Sequence, residues 1–199
     1  EEGLPSASVN ALCEDHQGFL WVATDQGLAR SAGSRFDAFG TDQGAPATEA
    51  TALMAARTAL SESVVWAGYR NGTVAVWNNG TAKPLTLAKP LPTHPVRALL
   101  PGPQNSFWLA SRGGGIWQVD TSAQQAIPWN QGLPTLRINA LVDQGKGRLL
   151  AATDSGLFQL RGKQWAKVIQ DGLNGKRILS LHADSLGVLV GTNAGYLEL

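Results

Sequence analysis

Short apolar runs, separated by polar turn residues, follow one another along the whole chain. Near the start the apolar runs cover 9–13, 19–24, 27–31 and 35–39, and Asp, Gln, Gly and Ser fill the gaps between them. Runs of this length are typical of β-strands and are too short for most helices. The gaps carry the residues that favour tight turns. The pattern therefore predicts an antiparallel meander of short strands.

The meander repeats five times. A tetrapeptide that begins and ends with an apolar residue precedes a large apolar marker residue in every unit, and successive markers are 39 to 45 residues apart. The aligned tetrapeptides are 9–12, 50–53, 96–99, 138–141 and 178–181. A glycine stands six residues after each marker. The markers are Trp21, Trp66, Trp108, Leu150 and Leu189, and the glycines are Gly27, Gly72, Gly114, Gly156 and Gly195. A repeat of this length means that each unit buries its apolar face against its neighbours.

Four strands in 39 to 45 residues are the content of one blade of a β-propeller. The sequence predicts an all-β chain, 1–199, with about five four-stranded antiparallel blades. The predicted blades cover roughly 3–43, 44–89, 90–130, 131–170 and 171–199, and the last is incomplete. A missing strand leaves a sheet edge open. We therefore expect a piece of a larger propeller, or closure through association with other chains.

Two segments depart from the pattern locally. Residues 47–63 are rich in Ala, Leu and Glu, for which propensity alone favours a helix. The repeat instead predicts a strand at 50–55 and an enlarged turn at 57–63. Residues 84–95 contain four prolines and have the composition of a linker. Because the repeat continues across them, we interpret them as a surface connection between two blades.

Composition excludes several functions. The net charge is +1 and no basic run occurs, which argues against nucleic-acid binding. No apolar stretch is long enough to span a membrane. The single cysteine, Cys13, excludes an internal disulfide and aligns with mostly apolar positions, which favours a core role over a reactive thiol. The tryptophan markers are expected to pack between blades.

The first unit resembles the two-component regulator propeller repeat. The residues that carry the likeness are Gly3-Leu4-Pro5, the strand at 9–12, and Leu20-Trp21-Val22-Ala23-Thr24 followed by Gly27-Leu28. The resemblance is close in the first and fourth units and looser in the others. It implies a seven-bladed propeller, of which this chain holds a fragment. It also implies a periplasmic, ligand-sensing part of a bacterial inner-membrane protein, with a histidine kinase or diguanylate cyclase output domain elsewhere.

Propeller geometry indicates where a ligand would bind. The turn between the second and third strands of each blade opens on the same side as the entry into its first strand. Residues there vary while their neighbours repeat, as expected of a recognition surface on a repeat scaffold. The candidate ligand-binding residues are Asp25, Glu49, Arg70, His94, Arg112, Arg137, Asp154 and Arg177. Their arginines can hold a carboxylate or a sugar acid, so the expected partner is a small carbohydrate or carboxylate ligand.

Catalytic motifs are absent from the sequence. It contains no nucleophile elbow, no phosphate-binding loop and no zinc-protease motif, and His16, His94 and His182 belong to different units. We therefore predict no catalytic residue, no metal site and no cofactor. Two alternatives stay open: a protein-interaction scaffold, and a propeller lyase or hydrolase that would need His94 and Glu49 at the axis.

Overall fold

The protein, as a computed structural model, is described over residues 3–57, 62–145 and 147–199. In these ranges 19 strands form five antiparallel sheets, and in each sheet neighbouring strands are consecutive in sequence. We number the sheets as blades 1 to 5. Blade 1 consists of β1 (Val9–Glu14), β2 (Leu20–Thr24), β3 (Gly27–Ala32) and β4 (Arg35–Phe39). Blade 2 consists of β5 (Ala50–Arg57), β6 (Ser63–Tyr69), β7 (Val74–Asn78) and β8 (Thr81–Pro84).

The remaining blades repeat this plan. Blade 3 consists of β9 (Val96–Pro101), β10 (Ser106–Ser111), β11 (Gly115–Asp120) and β12 (Gln125–Pro128). Blade 4 consists of β13 (Ile138–Asp143), β14 (Leu149–Thr153), β15 (Gly156–Arg161) and β16 (Gln164–Lys167). Blade 5 has three strands, β17 (Ile178–Ala183), β18 (Val188–Thr192) and β19 (Gly195–Glu198). The predicted all-β architecture of antiparallel propeller blades is confirmed.

The first strands of successive blades lie side by side: β1 contacts β5, β5 contacts β9, β9 contacts β13, and β13 contacts β17. These inner strands surround the propeller axis, and an apolar cluster fills each of the four junctions between blades. Trp21, Trp66 and Trp108 each pack against the following blade, and Leu150 does the same in blade 4. The predicted packing role of the tryptophan markers is therefore confirmed.

The turn between the second and third strands explains the Thr-x-x-Gly part of the repeat. Thr24, Thr153 and Thr192 each donate a side-chain hydrogen bond to the carbonyl of the glycine three residues later, at 2.8–2.9 Å. In blades 2 and 3 this turn is one residue longer, so the glycines at 72 and 114 lie within the turn. Gly115, with a φ of +77°, takes the pairing position opposite Ser111.

In the two segments with conflicting sequence signals, the structure contains the strand and the connection that the repeat predicts. The strand extends to Arg57, and the next strand begins at Ser63, so both ends of the predicted turn belong to strands. The Ala-rich segment forms β5, which pairs along its length with β6. The enlarged turn predicted at 57–63 includes residues 58–61, which lie outside the described ranges. The proline-rich segment connects β8 to β9 without regular secondary structure. It is therefore a connection between blades 2 and 3, as predicted.

The outward faces of the two terminal blades are exposed. On blade 1, Leu20 is 38% exposed, whereas Phe107 and Leu149, at the same repeat position, are 2% and 1% exposed. On blade 5, Tyr196 is 73% exposed, whereas Leu157 at its repeat position is 1% exposed. The blades thus form an open arc whose two end faces carry the same type of apolar side chain that is buried between the inner blades. The expected total of seven blades stays a prediction.

A buried carboxylate organises the first hairpin of blade 1. Asp15, 7% exposed, accepts hydrogen bonds from Trp21 Nε1 at 2.8 Å and from the backbone N–H groups of Gln17 and Phe19. Burial opposes ionisation of Asp15, but these hydrogen bonds and the charge of Arg30 outweigh it and lower the pKa of the carboxyl. Burial, with a contribution from Asp15, raises the pKa of the Cys13 thiol to about 12. Cys13 is partly buried against the junction of blades 1 and 2, an environment that favours the neutral thiol.

Candidate functional site

The second-to-third-strand turns and the entries into the first strands meet at one edge of the sheets, which we call the axial edge. In blades 1, 2, 3 and 5, a backbone hydrogen bond connects the turn to the segment that enters the first strand. These bonds are Asp25 N to Ser8 O, Arg70 N to Glu49 O, Arg112 N to Pro95 O, and Asn193 N to Arg177 O, at 2.9–3.3 Å. The structure thus brings the candidate residues of the turns and those of the strand entries to the same edge.

Polar side chains on the inner strands tie neighbouring blades together at this edge. Asn10 Nδ2 donates to the carbonyl of Ala50 in blade 2, at 3.0 Å. Thr51 Oγ1 donates to the carbonyl of Val96 in blade 3, at 2.7 Å. Asn139, at the same repeat position of blade 4, donates through Nδ2 to the carbonyl of Ile178 in blade 5, at 2.8 Å. A small hydrogen-bonding residue at the second position of the inner strand is therefore a structural link between blades.

Blade 3 breaks this rule with Arg97. It occupies the position of Asn10, Thr51 and Asn139, at an irregularity where Val96 pairs with Ser111 and Ala98 pairs with Ala110. Within the described ranges, Arg97 donates no side-chain hydrogen bond and forms no ion pair. Partial burial, then the charges of Arg112 and Arg70, lower its pKa. Our candidate set omitted Arg97, although the aligned tetrapeptides show a charged residue where the other blades have an uncharged one.

Two of the candidate arginines have carboxylate partners. Arg70 forms an ion pair with Glu49 within blade 2. Arg177 forms an ion pair with Asp154, at 3.2 Å, which joins blades 4 and 5. The hydrogen bond from Asn139, followed by the charges of Arg177 and Arg112, lowers the pKa of Asp154 despite its partial burial. Both carboxylates are therefore engaged by an arginine of the same edge.

The other two candidate arginines carry no such partner. Arg112 pairs through its backbone with Arg137 in an isolated antiparallel bridge. Both side chains are exposed, and neither forms an ion pair with a carboxylate in the part of the chain that the structure describes. The backbone N–H groups of Gly113 and Gly115 both donate to the Leu136 carbonyl, at 3.0 Å, and fix the entry to blade 4 beside this turn.

The remaining candidates lie on either side of the arginines. The imidazole of His94 lies against Gly113, where a Cβ would come within 2.4 Å of His94 Cδ2. Asp25 accepts a hydrogen bond from Asn10, at 2.9 Å. Asp25 and Glu49 also line a groove of about 300 Å³ between blades 1 and 2. The axial edge is thus acidic near blade 1 and basic around blade 3.

A larger groove, of about 630 Å³, opens between blades 2 and 3 at the opposite ends of the strands and contains none of the candidate residues. Among the described residues, no three His, Cys, Asp or Glu side chains converge in a group that could hold a metal ion. The same ranges contain no helix with the length and apolar character needed to traverse a bilayer.

Residues 3–26 match the family model for the two component regulator propeller. This segment includes β1, β2 and the turn that follows. The resemblance seen in the sequence to that repeat is therefore confirmed at the first two strands of blade 1. No curated protein sequence matches the chain.

Solved propeller structures superpose on nearly the whole chain. One is described as the extracellular domain of the hybrid two component system BT3049 from B. thetaiotaomicron, with a TM-score of 0.81, 20% identity, and coverage of 98% of this chain and 29% of that one. Another is the extracellular domain of the one component system BT4673 from the same organism, with a TM-score of 0.75, 16% identity, and coverage of 96% and 26%. This chain therefore spans less than a third of either.

Virginiamycin B lyase from Staphylococcus aureus shares the same fold. Its TM-score is 0.72 at 12% identity, and the superposition covers 94% of this chain and 64% of the lyase. A fold common to extracellular domains of one and two component systems and to a lyase establishes the propeller architecture, and function has to be inferred from the residues at the site.

Proposed function

We propose that this chain is the extracytoplasmic, non-catalytic sensing propeller of a bacterial membrane signal-transduction protein, and that it binds a small ligand at the axial edge. The propeller repeat at 3–26 and the fold shared with extracellular domains of one and two component systems support the sensing role and the location outside the cytoplasm. The output domain, a kinase or a diguanylate cyclase, would belong to another part of the full-length protein.

The observation that carries this proposal is the contrast between repeated and variable positions at the axial edge. Thr24, Thr153 and Thr192 keep the same hydrogen bond in three blades. The residue after each of them changes from Asp25 to Asp154 to Asn193, and blades 2 and 3 have Arg70 and Arg112 there. A constant scaffold with variable exposed side chains is the arrangement by which repeat folds carry recognition.

The two alternatives have less support at this edge. A lyase-like site would need free acid and base groups, whereas Glu49 is paired with Arg70. An interaction scaffold would need a broad apolar face. The exposed apolar residues include a set on the two end faces, Val9, Leu12, Leu20, Leu179, Leu189 and Tyr196. The axial edge instead presents charged and amide side chains, which suit a small polar ligand.

A thermal-shift screen with galactose, maltose, L-glutamate, citrate and digalacturonic acid tests the proposal. We expect at least one compound to raise Tm by about 5 °C at a concentration 100-fold above its Kd. Replacing Arg112 and Arg137 together with Ala should remove that shift, because both exposed side chains lie at the axial edge. Arg35→Ala, on the outer strand β4, is the matched control and should keep it. A shift that survives the double replacement would contradict ligand binding at this edge.

A further inference from the structure

The inner strand of blade 3 carries a charge at a position that the other blades use for structure. The side chains of Asn10, Thr51 and Asn139 each donate a hydrogen bond to a backbone carbonyl of the next blade. Arg97 does not form that link. The junction of blades 3 and 4 therefore lacks a hydrogen bond that the other three junctions have. A guanidinium placed at such a position without a hydrogen-bond partner is available to a ligand.

Backbone connections place two more arginines beside Arg97. Pro95, two residues before it, accepts the backbone N–H of Arg112 at 2.9 Å. Arg112 in turn bridges through its backbone to Arg137, at the entry to blade 4. The three residues therefore lie on three adjacent backbone segments at the same edge, and all three are exposed.

In the part of the chain that the structure describes, no carboxylate forms an ion pair with Arg97, Arg112 or Arg137. The axial edge holds the arginines Arg70, Arg97, Arg112, Arg137 and Arg177 and the carboxylates Asp25, Glu49 and Asp154. Glu49 is held by Arg70 and Asp154 by Arg177 and Asn139. Asp25 is held by Asn10 on the blade 1 side. The excess positive charge is therefore concentrated on Arg97, Arg112 and Arg137.

We propose that Arg97, Arg112 and Arg137 form a binding site for the carboxylate groups of a small acidic ligand. This inference rests on the proposed function and specifies its ligand chemistry. Guanidinium groups bind carboxylates through paired, charge-assisted hydrogen bonds. Three of them on adjacent segments suit a ligand with more than one carboxylate, either a free polycarboxylate or an acidic sugar oligomer.

Arg97→Asn separates binding from folding, because it installs the residue that blades 1 and 4 have at this position. We expect the variant to keep or raise the Tm of the chain, since Asn can form the missing link to blade 4 as Asn10 does to blade 2. We expect it to weaken ligand binding at least tenfold. Arg35→Asn, on the outer strand of blade 1, is the matched control and should bind like the wild type.

Isothermal titration calorimetry with citrate, digalacturonic acid and the dimethyl ester of digalacturonic acid makes the test. Binding of citrate would indicate a free polycarboxylate, and binding of digalacturonic acid alone would indicate an acidic sugar. Either result supports the proposal if Arg97→Asn binds the same compound at least tenfold more weakly. No binding of either acid, undiminished binding by Arg97→Asn, or equal binding of the uncharged ester would overturn it. A neutral sugar that binds through Arg112 and Arg137 would overturn this inference and leave the sensing function standing.

Discussion

Replacing Trp77 with Ala is expected to lower the free energy of unfolding by about 4 kcal/mol, a cost in the range measured for large aromatic residues in cores. Trp77 is 1% exposed and lies at the junction of blades 1 and 2. Its ring centroid is 5.5 Å from that of Phe39 and 6.2 Å from that of Trp21. Its removal also deprives the buried Tyr69 hydroxyl of the hydrogen bond from Trp77 Nε1. Chemical denaturation of the purified chain measures the loss.

Tyr196→Ala is the control for this prediction. Tyr196 is an aromatic residue on the outward face of blade 5, and it is 73% exposed. Its truncation should change the free energy of unfolding by no more than about 0.5 kcal/mol. If Trp77→Ala cost less than Tyr196→Ala, the assignment of buried junctions and open end faces would be wrong.

Asp15→Ala is expected to cost about 3 kcal/mol. The variant leaves the Trp21 indole N–H and the N–H groups of Gln17 and Phe19 without their shared acceptor. Hydrogen bonds to an ionised group contribute more than neutral ones, and a buried donor left without a partner adds its own penalty. Thermal and urea unfolding of the variant beside the wild type measure the effect.

Asp184→Ala provides the matched comparison, since Asp184 makes the equivalent turn bonds to Leu186 and Gly187 on blade 5. Its side chain is 48% exposed, so the loss should be about 1 kcal/mol. The folded pKa of Asp15 is lowered, so its contribution is complete above the pKa of an unfolded Asp, about 4. It is lost as the pH falls through the folded value. A stability gap between wild type and Asp15→Ala that widened below pH 4 would contradict this account.

The blade architecture could be predicted from the sequence because the physical demands on each unit recur at fixed spacing. Trp21, Trp66 and Trp108 fill the same junction in successive blades, so they mark the repeat. The strand at β5 was predictable against its helical composition for the same reason. Tertiary packing between blades outweighs local propensity there.

The composition of the site could be predicted only in part. The turn and entry positions follow from strand direction, and the structure brings them to one edge. The sequence shows Arg97 as a charged residue among uncharged ones at its repeat position. The role of that position could not be predicted, because the side-chain links of Asn10, Thr51 and Asn139 join residues about 40 positions apart. The ion pairs of Arg70 and Arg177 could not be predicted either. Side-chain geometry decides which arginines have a carboxylate partner and which are available to a ligand.

The central claim is that the inner strands of successive blades lie next to one another around an axis. Nuclear Overhauser effects in the isotope-labelled chain test it most directly. We predict cross-peaks from the Gly68 α-protons to the Val96 methyls, since a Cβ on Gly68 would lie 2.4 Å from Val96 Cγ1. We also predict cross-peaks from the Asn10 side-chain amide to residues 50 and 51, and from that of Asn139 to residues 178 and 179. The propeller would be contradicted if these cross-peaks were absent. It would also be contradicted if cross-peaks placed β1, β5, β9, β13 and β17 in one continuous sheet or against helices.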